Sequence, residues 1–208
     1  MKVAHDFIDD LLDKINFSRE EAPEIDRGIE KQELFSTDII KHWLHFAVYY
    51  ERAAVSFIGE WMRSIEEVDA LKYFSHQIED ECNHFRWLNH HLVQYGGDFS
   101  SFKAPKEWKF LMEEYYPGLD TLIGRLAAHN IAAETGALGF LEYGLNRFPK
   151  SIKETVTKVI KDERYHVAFG IKLLRRYCIT DEQKALAQST ALESLQYMQR
   201  AREVFVFS

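Results

Sequence analysis

Two short stretches of the chain repeat one chemically loaded spacing, Glu81-x-x-His84 and Glu163-x-x-His166, and an aspartate directly precedes each, Asp80 and Asp162. A carboxylate and an imidazole three positions apart on a helix share a face, where both can reach the same ion. One further glutamate stands upstream of each pair: Glu51, 30 residues before Glu81, and Glu134, 29 residues before Glu163. Four carboxylates and two imidazoles in a near-duplicated order are the donor set of a carboxylate-bridged two-metal site built between facing helices. The chemistry this predicts is that of a metal-dependent redox enzyme.

The faces that carry these residues are apolar. At spacings of three, four and seven, Glu51 shares its side with Leu44, Ala47, Val48, Ala54, Val55 and Ile58, and Glu134 with Ala127, Ile131, Ala137, Leu138 and Leu141. Glu163 and His166 lie among Val156, Val159, Ile160 and Val167, and Glu81 and His84 among Phe74, Ile78, Phe85 and Leu88. Four acids thus point into a core, where unpaired charge is too costly to keep without bound cations. Asp80 and Asp162, four residues before His84 and His166, are placed to orient a ligand histidine, either their own or the opposing one. Cys82, offset about 100° from Glu81, reads as packing rather than ligand.

Helices must supply these faces, and the four prolines outline them by falling between long segments of helical periodicity. The pattern predicts helices near 3–16, 37–64, 66–95, 119–147, 151–177 and 181–204, with a short one at 106–115. A polar connection runs through Pro23. Ser36 or Thr37 caps the first long helix, Gly96-Gly97 ends the second, Ser151 and Glu154 fit a capping box on the fourth, and Thr180 and Asp181 open the last. The fold class expected is all-α: a four-helix bundle at about 37–178, with a long crossover between helix pairs and additional N- and C-terminal helices, in a single domain spanning 1–208.

Composition is compatible with that reading. In 208 residues, 46% hydrophobic content supports one substantial core, and a formal charge of −7 disfavours nucleic acid or an anionic membrane as partner. Cys82 and Cys178 form no Cys-x-x-Cys, so neither a disulfide framework nor a rubredoxin-type iron site is expected. Asp6, Asp9 and Asp10 break the apolar character of the N-terminus, and no stretch reaches transmembrane length, which predicts a soluble, cytoplasmic protein.

The run Asp162-Glu163-Arg164-Tyr165-His166-Val167-Ala168-Phe169-Gly170, with the other three glutamates and His84, resembles the ferritin-like di-iron carboxylate superfamily, in particular ribonucleotide reductase small subunits and bacterial di-iron oxygenases. The resemblance implies a ferritin-like bundle with Glu51, Glu81, His84, Glu134, Glu163 and His166 as metal ligands and catalytic residues, Glu81 and Glu163 bridging. It implies two iron ions as cofactor, or a manganese–iron pair, and activation of molecular oxygen against a small, largely apolar substrate. The reaction would be a hydroxylation, N-oxygenation, desaturation or related oxidation, with electrons from a separate ferredoxin or reductase, in a homodimer. Departures narrow it: Leu88 stands where the reductase subunits keep their radical tyrosine, and the rubredoxin module of rubrerythrins is lacking. A rubrerythrin-like peroxidase and a bacterioferritin-like ferroxidase or iron store are the alternatives.

Other residues of suitable type find no place in this set. His5, His42, His45, His76, His90, His91 and His129 lack a carboxylate at ligand spacing on an apolar face and read as structural or surface groups, and Glu60 and Glu142 as exposed acids. Gly136 and Gly139 follow Glu134 and either open room beside the metals or let helices approach closely. Tyr50, Thr135 and Tyr165 adjoin ligands in sequence. The aromatics, spread over every helix, mark no pocket, and the apolar ending Val204-Phe205-Val206-Phe207 caps the core or docks a partner.

Overall fold

The computed structural model describes residues 6–20 and 34–204. His5, Pro23 and the apolar ending from Phe205 onward lie outside them. Eight α-helical stretches follow in order: α1 (Phe7–Glu20), α2 (Thr37–Trp61), α3 (Val68–Gln94), α4 (Lys106–Lys109), α5 (Leu122–Arg125), α6 (Glu134–Gly144), α7 (Lys150–Tyr177) and α8 (Asp181–Val204). Two π-helical segments continue α4 (Phe110–Tyr115) and join α5 to α6 (Leu126–Ala133), so that 122–144 is one unbroken helix with a widened middle. None of the described helices is long and apolar enough to cross a membrane.

Local chemistry sets most of the ends. Ser36 caps α2 by accepting from Ile39 N at 3.3 Å, and Thr180 Oγ1 does the same for Gln183 N on α8. Gly96, at φ +70°, reverses the chain after α3, with Gly97 N returning to Leu92 O at 2.9 Å. The capping box expected at Ser151 and Glu154 is not formed. The helix begins one residue earlier, with Pro149 at the cap position and no side-chain cap, because the fixed φ of proline already directs the chain into the first turn.

α2 packs on α3, α3 on α7, and α7 on the helix 122–144, while the segment after α4 packs on α2. Burial along each long helix follows one scheme: apolar residues, then acid or imidazole, then apolar residues again. Val48, Glu51 and Ala54 show it on α2, Phe74, Glu81, His84 and Leu88 on α3, and Ile160, Glu163, His166 and Phe169 on α7. The polar layer therefore lies between two apolar clusters, one built around Trp43, Leu44, Leu92 and Ile152, the other around Phe57, Trp61, Trp108 and Tyr116.

α8 is more than an addition to this bundle. It lies along the π segment 126–133 through Ala187, Ala191, Ser194, Met198 and Ala201. The Ser194 hydroxyl donates to Ala128 O at 2.8 Å, inside the π segment, and meets the Tyr116 hydroxyl at 3.1 Å. At Gly136 a Cβ would meet Met198 Cε at 3.3 Å and Arg202 Nη2 at 3.0 Å, so this glycine serves close packing. Gly170 on α7 does likewise: a Cβ there would lie 2.7 Å from Asn130 Cβ. Because that neighbour sits next to backbone and cannot swing away, Gly170→Ala is expected to destabilise by about 1–3 kcal/mol. The melting temperature should drop by roughly 2–4 °C per kcal/mol, and an unchanged thermal melt would show that the two helices part freely.

Candidate metal centre

All six sequence-predicted donors converge and are buried. Their donor atoms form two groups, Glu51, Glu81, His84 and Glu163, and Glu81, Glu134, Glu163 and His166, within each of which the atoms lie inside 4.8 Å of one another. Glu81 and Glu163 belong to both. The arrangement is near-symmetric: His84 Nδ1 lies 3.0 Å from Glu81, 3.5 Å from Glu163 and 3.8 Å from Glu51. His166 Nδ1 lies 3.2 Å from Glu163, 3.6 Å from Glu81 and 4.0 Å from Glu134. Each imidazole faces its own glutamate, that of the opposite helix, and one of the two upstream glutamates.

The outward nitrogens settle which aspartate serves which ring. His84 Nε2 lies 3.4 Å from Asp162, and His166 Nε2 3.1 Å from Asp80, so each aspartate reaches across to the opposing helix. A proton is thereby fixed on Nε2 and Nδ1 is aimed inward, the second contact that ligand histidines require. Asp80 also meets His76 Nδ1 at 2.9 Å. Asp80→Asn is expected to weaken metal binding about 10- to 100-fold, measurable by competition with a chelator, and equal affinity would remove Asp80 from any orienting role.

Burial and mutual contacts push the proton affinities of the cluster apart. Burial raises Glu51 to about 8, with the neighbouring carboxylates adding to it, and raises Glu134 well above the carboxylate range. Burial also pushes Glu163 upward, but hydrogen bonds from Glu134 and His166 outweigh it and hold this carboxyl down to about 2; Glu81 is likewise lowered by His84 and His166 against its burial. Burial disfavours charged imidazoles, yet Asp80 and Glu163 raise His166 to about 10, and Asp162, Glu51 and Glu81 raise His84 well above its ordinary value. The shifts oppose one another: Glu51 and Glu134 are pushed toward the neutral form, Glu81 and Glu163 toward the carboxylate, and both imidazoles toward the charged ring, so the charges of the cluster offset.

Sequence reasoning missed an amide pair and an imidazole. Gln77 Nε2 donates to Glu134 at 2.8 Å and Glu81 at 3.1 Å, and Asn130 Nδ2 donates to Gln77 Oε1 at 2.9 Å. A signal existed: Gln77 and Asn130 each stand four residues before a site glutamate. His129, read as structural, lies with Nδ1 3.3 Å from Glu134, and burial pushes its pKa down to about 4. The aromatics do form a local cluster, since Tyr50, Phe57, Trp61 and Tyr116 all pack on the His129 ring. Tyr50 carries a buried hydroxyl without a hydrogen-bond partner among the described residues. Tyr165 and Cys82 are exposed, so Cys82 is neither ligand nor packing. Glu60 and Glu142 are exposed as expected, Glu142 paired with Arg164 at 2.6 Å.

The fold and site together define an all-helical protein with a heme oxygenase-like fold and a buried acid–histidine cluster that could hold a metal ion. The chain belongs to the family described as protein of unknown function (DUF455), whose model matches residues 18–205. A TenA homologue from Pyrococcus furiosus superposes with a TM-score of 0.75 at 12% identity, covering 96% of this chain and 100% of that one. A domain of unknown function with a heme oxygenase-like fold from Shewanella denitrificans does so with a TM-score of 0.71 at 14% identity, covering 98% and 93%. No curated protein matches the chain.

These neighbours overturn the ferritin-like assignment, including its reductase-subunit and bacterial di-iron oxygenase branch. The physical reason is that a Glu-x-x-His spacing reports only how donors sit on one helix turn. It does not encode how α8 docks along the π segment or how the long helices are arranged, and those contacts decide the fold.

Proposed function

We propose that this chain is an oxidoreductase that activates molecular oxygen at a di-iron centre held by Glu51, Glu81, His84, Glu134, Glu163 and His166. The observation that carries the reading is the pair of buried four-donor groups sharing Glu81 and Glu163. Donors bound at about 2.0–2.2 Å to one ion stand some 3–3.5 Å apart; His84 Nδ1 meets that spacing with Glu81 at 3.0 Å and Glu163 at 3.5 Å, and Glu51 stands slightly wider at 3.8 Å. Mixed nitrogen and oxygen donors suit iron, and a manganese–iron pair equally. When bound, a reduced metal pair of this kind supplies electrons to dioxygen and so the oxidising power for a substrate.

The protein's own residues prepare that chemistry. Asp162 and Asp80 hold the Nε2 side of His84 and His166 and aim their Nδ1 atoms inward, where each would give up its proton to take an ion. Gln77 restrains Glu81 and Glu134 from the α3 side, while Glu51 accepts no bond from Gln77 and depends on His84 alone among the polar contacts described. The apolar clusters above and below exclude water, which strengthens every electrostatic contact between them. The substrate is a small, largely apolar molecule, and the electrons come from a separate ferredoxin or reductase.

An anaerobic iron(II) titration of the metal-free protein, followed by oxygen, tests the reading. Two irons per chain and a near-ultraviolet charge-transfer band on exposure to oxygen are expected, with oxygen uptake that rises when a substrate is supplied. Binding of fewer than two irons, or a spectrum indifferent to oxygen, would sink it.

A further inference from the structure

Gln77 is wholly buried on α3, four residues before Glu81, where a glutamate would add a fifth acid to the cluster. An amide there brings two N–H donors and one carbonyl without charge. Its Nε2 donates to Glu134 Oε1 at 2.8 Å and to Glu81 Oε1 at 3.1 Å, gathering one oxygen of each acid around a single nitrogen. The same two oxygens face His166 Nδ1, at 4.0 Å and 3.6 Å. The Gln77 carbonyl accepts from Asn130 Nδ2 at 2.9 Å, which fixes the end of the amide that is turned to the acids. Asn130 is wholly buried too, and its own Oδ1 has no hydrogen-bond partner among the described residues. An unmet polar atom in a core is costly and calls for a reason, and the reason here is the hold that the other end of this amide keeps on Gln77.

That restraint falls on one half of the centre. On the His166 side, Asp80 meets Nε2 at 3.1 Å and is itself met by His76 at 2.9 Å. On the other half, Asp162 meets His84 Nε2 at 3.4 Å, and Glu51 has only His84, at 3.8 Å, among its described polar contacts. The Glu51 side chain is also the most exposed of the four acids, 9% against 2–5%. Donors held in place before an ion arrives lose less freedom in binding it, which favours the restrained position.

We propose that Gln77 and Asn130 are positioning residues that make the two metal positions unequal: the one built by Glu134 and His166 fills first and tightly, and the one built by Glu51 and His84 fills second and exchanges its ion more readily. This rests on the two-metal reading above. Neither amide touches an ion; each acts through Glu134 and Glu81.

Cobalt(II), added without oxygen and followed by visible absorption and by competition with a chelator, serves as the probe. Glu51→Ala should keep one cobalt at close to the first-step affinity of the wild type. Glu134→Ala should also keep one, bound about 10- to 100-fold more weakly. Gln77→Leu, which keeps bulk and removes the amide, should erase that difference. Added to Glu51→Ala it should lower the remaining affinity about 10- to 100-fold, and added to Glu134→Ala it should lower it far less. Asn130→Ala, which leaves the Gln77 donors in place but frees their far end, should fall between the wild type and Gln77→Leu, and it replaces the latter if that variant does not fold. Equal affinities in Glu51→Ala and Glu134→Ala, the reverse order, or an amide change that weakens both positions alike would overturn the inference while the two-metal reading stands. Fewer than two cobalt ions bound by the wild type would overturn both.

Discussion

Glu81→Ala and Glu163→Ala are each expected to lose paired metal binding, and Glu60→Ala to keep it. Both glutamates belong to the two donor groups at once, so removing either strips a ligand from both positions. Changes to residues that merely orient a ligand cost about 10- to 100-fold in affinity, and loss of a shared donor should exceed that, leaving fewer than two ions bound at micromolar metal. Glu60 lies on the same helix as Glu51 but faces solvent, which makes it the control for a general loss of acidic charge. Metal content after dialysis, with circular dichroism to check folding, reads the outcome. Equal loading in all three variants would dismantle the site.

Loading with two divalent ions should release about four protons per chain near pH 7, one each from Glu51, Glu134, His84 and His166, the groups whose pKa values the buried cluster raises. Affinity should therefore climb steeply with pH, and the stability of the metal-free protein should run the other way. The unfolded chain gives up the Glu51 proton near 4.5 and the His166 proton near 6.5, whereas the folded chain keeps them to about 8 and about 10. Across those windows the folded state binds more protons, so its stability falls as pH rises. Glu163 acts oppositely: its contribution is present above 4.5 and is lost as pH falls toward 2. Melting curves of metal-free protein from pH 5 to 10, with pH-indicator measurements during metal addition, test both signs. A metal-free melting temperature that rises with pH, or loading without proton release, would contradict the charge assignment.

Much of this was legible in the residues. Helical periodicity and proline placement located α2, α3, α7 and α8 to within a few residues, because each long helix buries a continuous face at the 3.6-residue period. Spacing alone gathered the six donors, since the ligand pairs are local and the upstream glutamates sit on equally apolar faces. His129 stayed hidden because Leu126-Ala-Ala-His-Asn-Ile-Ala-Ala133 has the composition of an ordinary buried helix, and no propensity announces a change to i+5 bonding. The fold escaped for a related reason: α8 is weakly patterned, and its place along the π segment depends on small residues such as Ala187 and Ala191 meeting a surface assembled only in three dimensions. Local rules name the elements, while docking between distant ones needs the coordinates.

The charge balance of the cluster also bears on the order in which this molecule is made. On the two-metal reading, protons on Glu51, Glu134, His84 and His166 would let the core close around the six residues before any metal arrives, unlike small zinc modules that stay unfolded until they are loaded. Synthesis and metallation would then be separate events. A cell short of metal would accumulate intact, dormant chains that later delivery could switch on without new translation.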